Sequence, residues 1–198
     1  MPAAAPAQAA SPLSPEHLRQ LEEARTRAKK VRRCAAVATF DGWSVGVFGA
    51  LTLLCGMFSV VGWVLGGGMI AIAYVELSTV ARVKRLDPSA ARTLGWNQIA
   101  LASLLLGYAG WSLYNAIYGP DPLAATIAAA PETAQMLAGY SSLARMISAA
   151  VYVSLALVAI FAQGGTAFYY FTRAKHIRAY REQTPPWIVE IQRSGAAL

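Results

Sequence analysis

The sequence predicts an all-α, polytopic membrane protein: a four-transmembrane-helix bundle with its N- and C-termini cytoplasmic. Three observations carry that expectation. No Lys or Arg occurs in the 48 residues between Arg33 and Arg82, and at about 20 residues per crossing such a stretch holds two spans and a tight turn. Two more apolar runs, Asn97 to Tyr118 and Met146 to Phe171, are each long enough to cross alone. The cations are also sorted. Seven Lys or Arg precede the first run, four lie between Arg82 and Arg92, and five follow Phe171, against Arg145 alone on the other face. Because positive loops stay inside, both termini and the middle loop are expected in the cytoplasm.

Composition points the same way. The chain has 198 residues, 56% hydrophobic and 14% charged, where soluble domains average roughly 25% charged. A net charge of +7 would suggest nucleic acid in a soluble protein. Here the cations flank the apolar runs, so no nucleic-acid partner is expected; the bilayer and its anionic lipid headgroups at the cytosolic face are.

Residues 1–14 are rich in Ala and Pro, lack the basic n-region of a signal peptide, and are expected to form a disordered tail. Ser14-Pro15-Glu16 reads as a helix start, with Ser as N-cap and Pro in the first turn. A basic cytosolic helix over 15–33 then follows, acids early and cations late as the helix dipole favours. The membrane domain is expected over 34–172, with spans near 36–57, 61–81, 96–118 and 146–171. Gly56 to Gly62 should turn the first hairpin, with Trp63 at that interface. Asp87-Pro88-Ser89 reads as a turn or the start of a brief interfacial helix. Between Pro120 and Ala144, Ala-rich patches and Pro131 suggest short helices on the outer surface. Residues 173–198 read as a basic cytosolic helix and tail, the helix ended by Pro185-Pro186.

Cys34 and Cys55 lie 21 residues apart on one helix, too far for a disulfide. His17 and His176 have no metal-ligand spacing and read as solvated surface. No catalytic, nucleotide or metal signature occurs, so neither enzymatic activity nor a cofactor is expected.

Helical faces single out the polar residues inside the runs. On the second run Gly62, Gly66, Met69, Ala73 and Glu76 share one face. Small residues permit close helix approach in lipid, so Glu76 should point into protein. Asp41 and Glu76 have numbers centred on the first turn, which puts them level in an antiparallel hairpin. Asn97 and Gln98 are similarly shallow, and Gln163 lies on the Ala149, Tyr152, Ala156, Ala159 face of the fourth run. Asp41, Glu76, Asn97, Gln98 and Gln163 therefore form the candidate intramembrane polar cluster. Intramembrane acids often mark proton or ion sites, and two level carboxylates titrate as a pair. The other reading is structural, with Asp41 capping the first span and Glu76 reaching Arg82 or Lys84.

Two functions follow. The first is a non-enzymatic helix bundle in a bacterial inner membrane or plasma membrane, with a scaffolding, accessory or regulatory role, packing as a homo-oligomer or on a membrane-protein partner through its small-residue faces. The alternative is a small oligomeric proton- or cation-coupled transporter or channel using Asp41 and Glu76.

Overall fold

The computed structural model describes residues 14–120, 128 and 134–194, without the side chains of 134–139. The expected tail before Ser14 and the short outer helices over 121–127 and 129–133 lie outside the described residues. Among the described residues every element is helical and there is no strand. In chain order they are α1 (Pro15–Cys55), α2 (Val60–Lys84), α3 (Pro88–Tyr118), α4 (Ala134–Val158), a π-helical turn (Ala159–Gln163), α5 (Gly164–Gln183) and α6 (Pro186–Arg193).

Helix α1 starts as its sequence dictates: the Ser14 hydroxyl accepts the His17 amide at 3.2 Å, and Pro15 and Glu16 occupy the first turn. Its 41 residues make one rod about 60 Å long. The basic half is not a freely solvated helix. Ala24, Ala28 and Val31, spaced by four and three, turn one small apolar face inward and are buried.

The α1–α2 turn is short. Gly56 donates to Thr52 at 2.9 Å, Ser59 donates to Gly56 at 2.8 Å, and the Trp63 indole closes it onto the Met57 carbonyl at 3.0 Å. Beyond it the two backbones touch. A Cβ at Gly66 would sit 2.8 Å from the Leu53 nitrogen and 2.9 Å from the Gly49 carbonyl oxygen, whereas one at the neighbouring Gly67 would meet nothing within 4 Å. The triple glycine is therefore an ordinary helical segment: Gly66 packs closely on α1, a Cβ at Gly68 would come within 2.8 Å of the Leu104 side chain, and Gly67 between them faces open space.

The α2–α3 turn depends on Leu86, which adopts a left-handed φ of 63°. Leu86 donates to Val83 at 3.0 Å and Asp87 to Arg82 at 3.1 Å, the paired closure that ends many helices. A leucine is strained there, but its side chain is buried in the core, which holds it. Asp87 then caps α3 by accepting the Ser89 amide at 2.9 Å and pairs with Arg82 at 3.0 Å. The expected interfacial segment is thus the first turn of α3 itself, because after Pro88 nothing breaks the helix until Gly119-Pro120.

Residues 134–144, expected among short outer helices, belong to α4, which continues through the π turn and α5 to Gln183. No proline interrupts them. Pro185 ends α5 as expected, yet Pro186 starts α6, whose Ile188 is fully buried. This C-terminal end is tied to the basic half of α1. Arg27 donates to the Gln183 carbonyl at 2.6 Å, the Trp187 indole donates to Gln20 at 3.3 Å, and the His17 and Trp187 rings meet edge-on at 5.4 Å.

The larger core cluster gathers Val31, Cys34, Ala38, Val83, Leu94, Tyr170 and Ile177 near the basic end; a smaller one holds Val45, Ala73 and Leu101. Both cysteines are free thiols. Three helical stretches, α1, α2 and the rod from Tyr140 to Gln183, are long and apolar enough to cross a membrane. Helix α3 is long enough at 31 residues, but Tyr108, Trp111, Tyr114, Asn115 and Tyr118 make it less apolar.

Candidate functional site

Four helices each contribute one polar side chain to a single cluster. Helix α2 buries Gly66, Ala73, Glu76, Val80 and Val83 on one stripe, so Glu76 is carried inward by the small residues around it. Helix α3 buries Leu94, Gln98 and Leu101, and α5 buries Ala167, Tyr170 and Ile177. Asp41, between buried Ala38 and Gly42 on α1, is only half-buried.

Gln98 stands at the centre. Its Nε2 donates to both Glu76 carboxylate oxygens at 3.1 Å and to Asp41 Oδ2. Tyr170 donates its hydroxyl to Glu76 Oε1 at 3.0 Å. Glu76, Gln98 and Tyr170 are fully buried. An amide nitrogen carries two N–H groups, so three carboxylate oxygens share two donors. The Gln98 Oε1 on the other side of that amide is buried with no hydrogen-bond partner. Among the described residues neither acid forms an ion pair; Glu16, Glu23 and Asp87 do. Glu76 therefore does not reach Arg82 or Lys84; it faces Gln98 and Tyr170.

Asn97 has a different task. Its Nδ2 donates to the Ile72 carbonyl at 3.0 Å, tying α3 to α2 one turn along from Glu76. Gln163 stays apart. It ends the π turn, seven residues before Tyr170 and about 10 Å along the rod, and makes no hydrogen bond to the cluster. Tyr170 is the member that the candidate set read from the sequence omits. Its signal was available: steps of four, four and three from Ala159 through Gln163 and Ala167 lead to it.

Such a cluster can do one of two things chemically. It can tie helices, since each polar group finds its partner on another helix where lipid offers none. It can also hold a proton or a small cation between two carboxylates. Two acids fall short of the usual three or four ligands of a protein metal site, and among the described residues no three His, Cys, Asp or Glu converge. Comparison with protein families, with curated proteins and with solved structures finds no match for this chain.

Proposed function

We propose that this protein is a four-span membrane helix bundle with cytosolic termini, acting without catalysis as a scaffold or accessory to membrane-protein partners. α1, α2, α3 and the α4–α5 rod are its four spans. The fourth assignment rests on α3, which carries no Asp, Glu, Lys or Arg from Thr93 to Tyr118. The orientation rests on the sixteen-to-one sorting of the cations. The observation that supports the scaffold reading is the cluster of Asp41, Glu76, Gln98 and Tyr170: direct side-chain hydrogen bonds from four helices, closed around fully buried groups. That construction suits a rigid platform.

Two experiments test this. With Cys34 and Cys55 replaced, single cysteines at Ser89 and Gln183 should be shielded from impermeant thiol reagents in intact cells, and one at Thr133 should react; labelling at Ser89 before lysis would overturn the topology. Purification in mild detergent should bring down a stoichiometric membrane-protein partner. A monodisperse particle containing this chain alone would count against an accessory role.

A second reading, a proton- or cation-coupled transporter, has its own support in the unpartnered Gln98 Oε1 and the half-buried Asp41, which gives the cluster an edge toward the outside. Reconstituted vesicles separate the two. Transport requires gradient-dependent flux that Asp41→Asn or Glu76→Gln abolishes; the scaffold reading requires that neither wild type nor variant shows any.

A further inference from the structure

An open groove of about 870 Å³ runs along α1 at the basic end, within the size range of small-molecule sites. Its floor is one helical stripe, Ala28, Ala35, Ala36 and Thr39, with Phe40 and Trp43 farther along. Phe40 and Trp43 are 75% and 63% exposed. Small residues make the trough and aromatic ones its far end. The other wall is the end of α2, with Lys84 and Arg85 at its basic mouth; Arg32 of α1 also lines the groove. Among the described residues no acid lines it.

A second cleft, of about 420 Å³, adjoins it and shares Arg85 and Leu86; it adds Arg82, Arg181 and Arg193. Among the described residues Asp87 is the one acid there, and it is engaged by Arg82 at 3.0 Å. The left-handed turn at Leu86 sets Arg85 at the junction of the two hollows.

The dimensions fit an amphiphile. From Arg32 to Trp43 is eleven residues, or about 16 Å along the helix, close to one leaflet of a hydrocarbon core about 30 Å thick. A cationic mouth thus sits above an apolar trough one leaflet deep. From this juxtaposition we infer that the groove binds one anionic phospholipid, its phosphate held by Lys84 and Arg85 and an acyl chain laid along Ala35, Ala36 and Phe40 toward Trp43. Charge complementarity decides the occupant. A second copy of this chain would bring the same cations to a two-fold contact, and a zwitterionic lipid would leave the excess positive charge uncompensated.

The inference rests on the membrane-spanning reading, and the test separates the two. Full-length protein is reconstituted in phosphatidylcholine bilayers with a minority of phosphatidylglycerol, extracted in mild detergent, and its retained phospholipid counted by native mass spectrometry. Wild type should keep phosphatidylglycerol in preference to phosphatidylcholine. The pair Lys84→Ala with Arg85→Ala should weaken that retention about thirtyfold, as expected for two basic contacts with an anionic surface. Ala36→Trp keeps every charge and fills the trough from an exposed position, and it should abolish the preference; Arg178→Ala, exposed on α5, should leave it intact. Equal retention of both lipids by wild type, or undiminished phosphatidylglycerol on Ala36→Trp, would overturn the groove and leave only diffuse attraction. A dimer that Ala36→Trp dissolves would give the groove to a second copy and overturn it too. Flotation with phosphatidylcholine vesicles reads insertion independently of headgroup: failure there removes the membrane reading, whereas flotation without lipid preference removes the groove alone.

Discussion

The two ends of the bundle are built differently from the same helices. At the basic end, α1, α2, α3 and α5 converge on Cys34, Val83, Leu94 and Ile177, and Val189 of α6 packs against them. At the opposite end the helices present their large side chains outward. Phe58 is 96% exposed, and only 6% of the most apolar stretch of the Tyr140–Gln183 rod is buried. The polar cluster of Asp41, Glu76, Gln98 and Tyr170 lies between the two regimes. Apolar burial in water drives the first regime. On the proposed membrane-spanning reading that drive is missing in the second, because a lipid tail is as apolar as leucine, and close helix approach and hydrogen bonding take over.

Removing core at the basic end should do the most damage. Ile177→Ala should cost about 3 to 4 kcal/mol, whereas Ile160→Ala, on an exposed position of the π turn, should change little. Equal melting losses for the two variants in detergent would erase the contrast.

The cluster comes next. Gln98→Leu would leave the Asp41 and Glu76 carboxylates without their shared donor, at a cost of about 3 kcal/mol. Glu76→Gln, close to it in shape, should be much milder. A wild-type melting curve for Gln98→Leu would mean that this level does not hold the two regimes together.

Close packing on the α1–α2 side can then be separated from mere glycine content. Gly66→Leu drives a side chain into the α1 backbone and should lose about 2 kcal/mol, whereas Gly67→Leu enters open space and should be tolerated. The pair sharpens the comparison because the two positions are adjacent and equally apolar.

The smallest effect sits at the α3 start. Asp87→Ala removes an N-cap worth about 1 kcal/mol. Partial burial pushes the Asp87 carboxyl up, but hydrogen bonds from the Ser89 side chain and backbone, with the Arg82 guanidinium, outweigh it and hold it below the usual carboxylate range. Its contribution is therefore present above the unfolded pKa and lost as pH falls through the folded one. The advantage of wild type over Asp87→Ala should fade below about pH 4. A difference constant from neutral to strongly acidic pH would show that the carboxylate charge has no part in the cap.

Much of this was legible in the residues because it is local. Ser14-Pro15 starts α1, the glycines near 56 turn the hairpin, and Pro185 stops α5. The Gly66, Ala73, Glu76 stripe turns the acid inward, and the symmetry of residue numbers about the first turn puts Asp41 beside it. Other features were not legible. Tyr170 belongs to the cluster and Gln163 does not, because the seven residues between them set Gln163 about 10 Å away along the rod. Residues 134–144 join the long rod, α6 folds back onto His17 and Gln20 of α1, and the end of α5 accepts from Arg27, all more than 150 residues away in sequence.

By itself the sequence determined an all-helical chain with apolar stretches suited to a membrane, the sorting of its cations, and which face of each helix is small or polar. Periodicity and charge placement are properties of one segment at a time. Only the tertiary structure decided which faces meet: that Gln98 bridges two acids under Tyr170, that Arg85 stands at the junction of a groove and a cleft, and that the C-terminal helix seals the basic end. Those relations depend on the relative rotation and height of separate helices, which are set by side-chain packing between segments and are recorded in none of them singly.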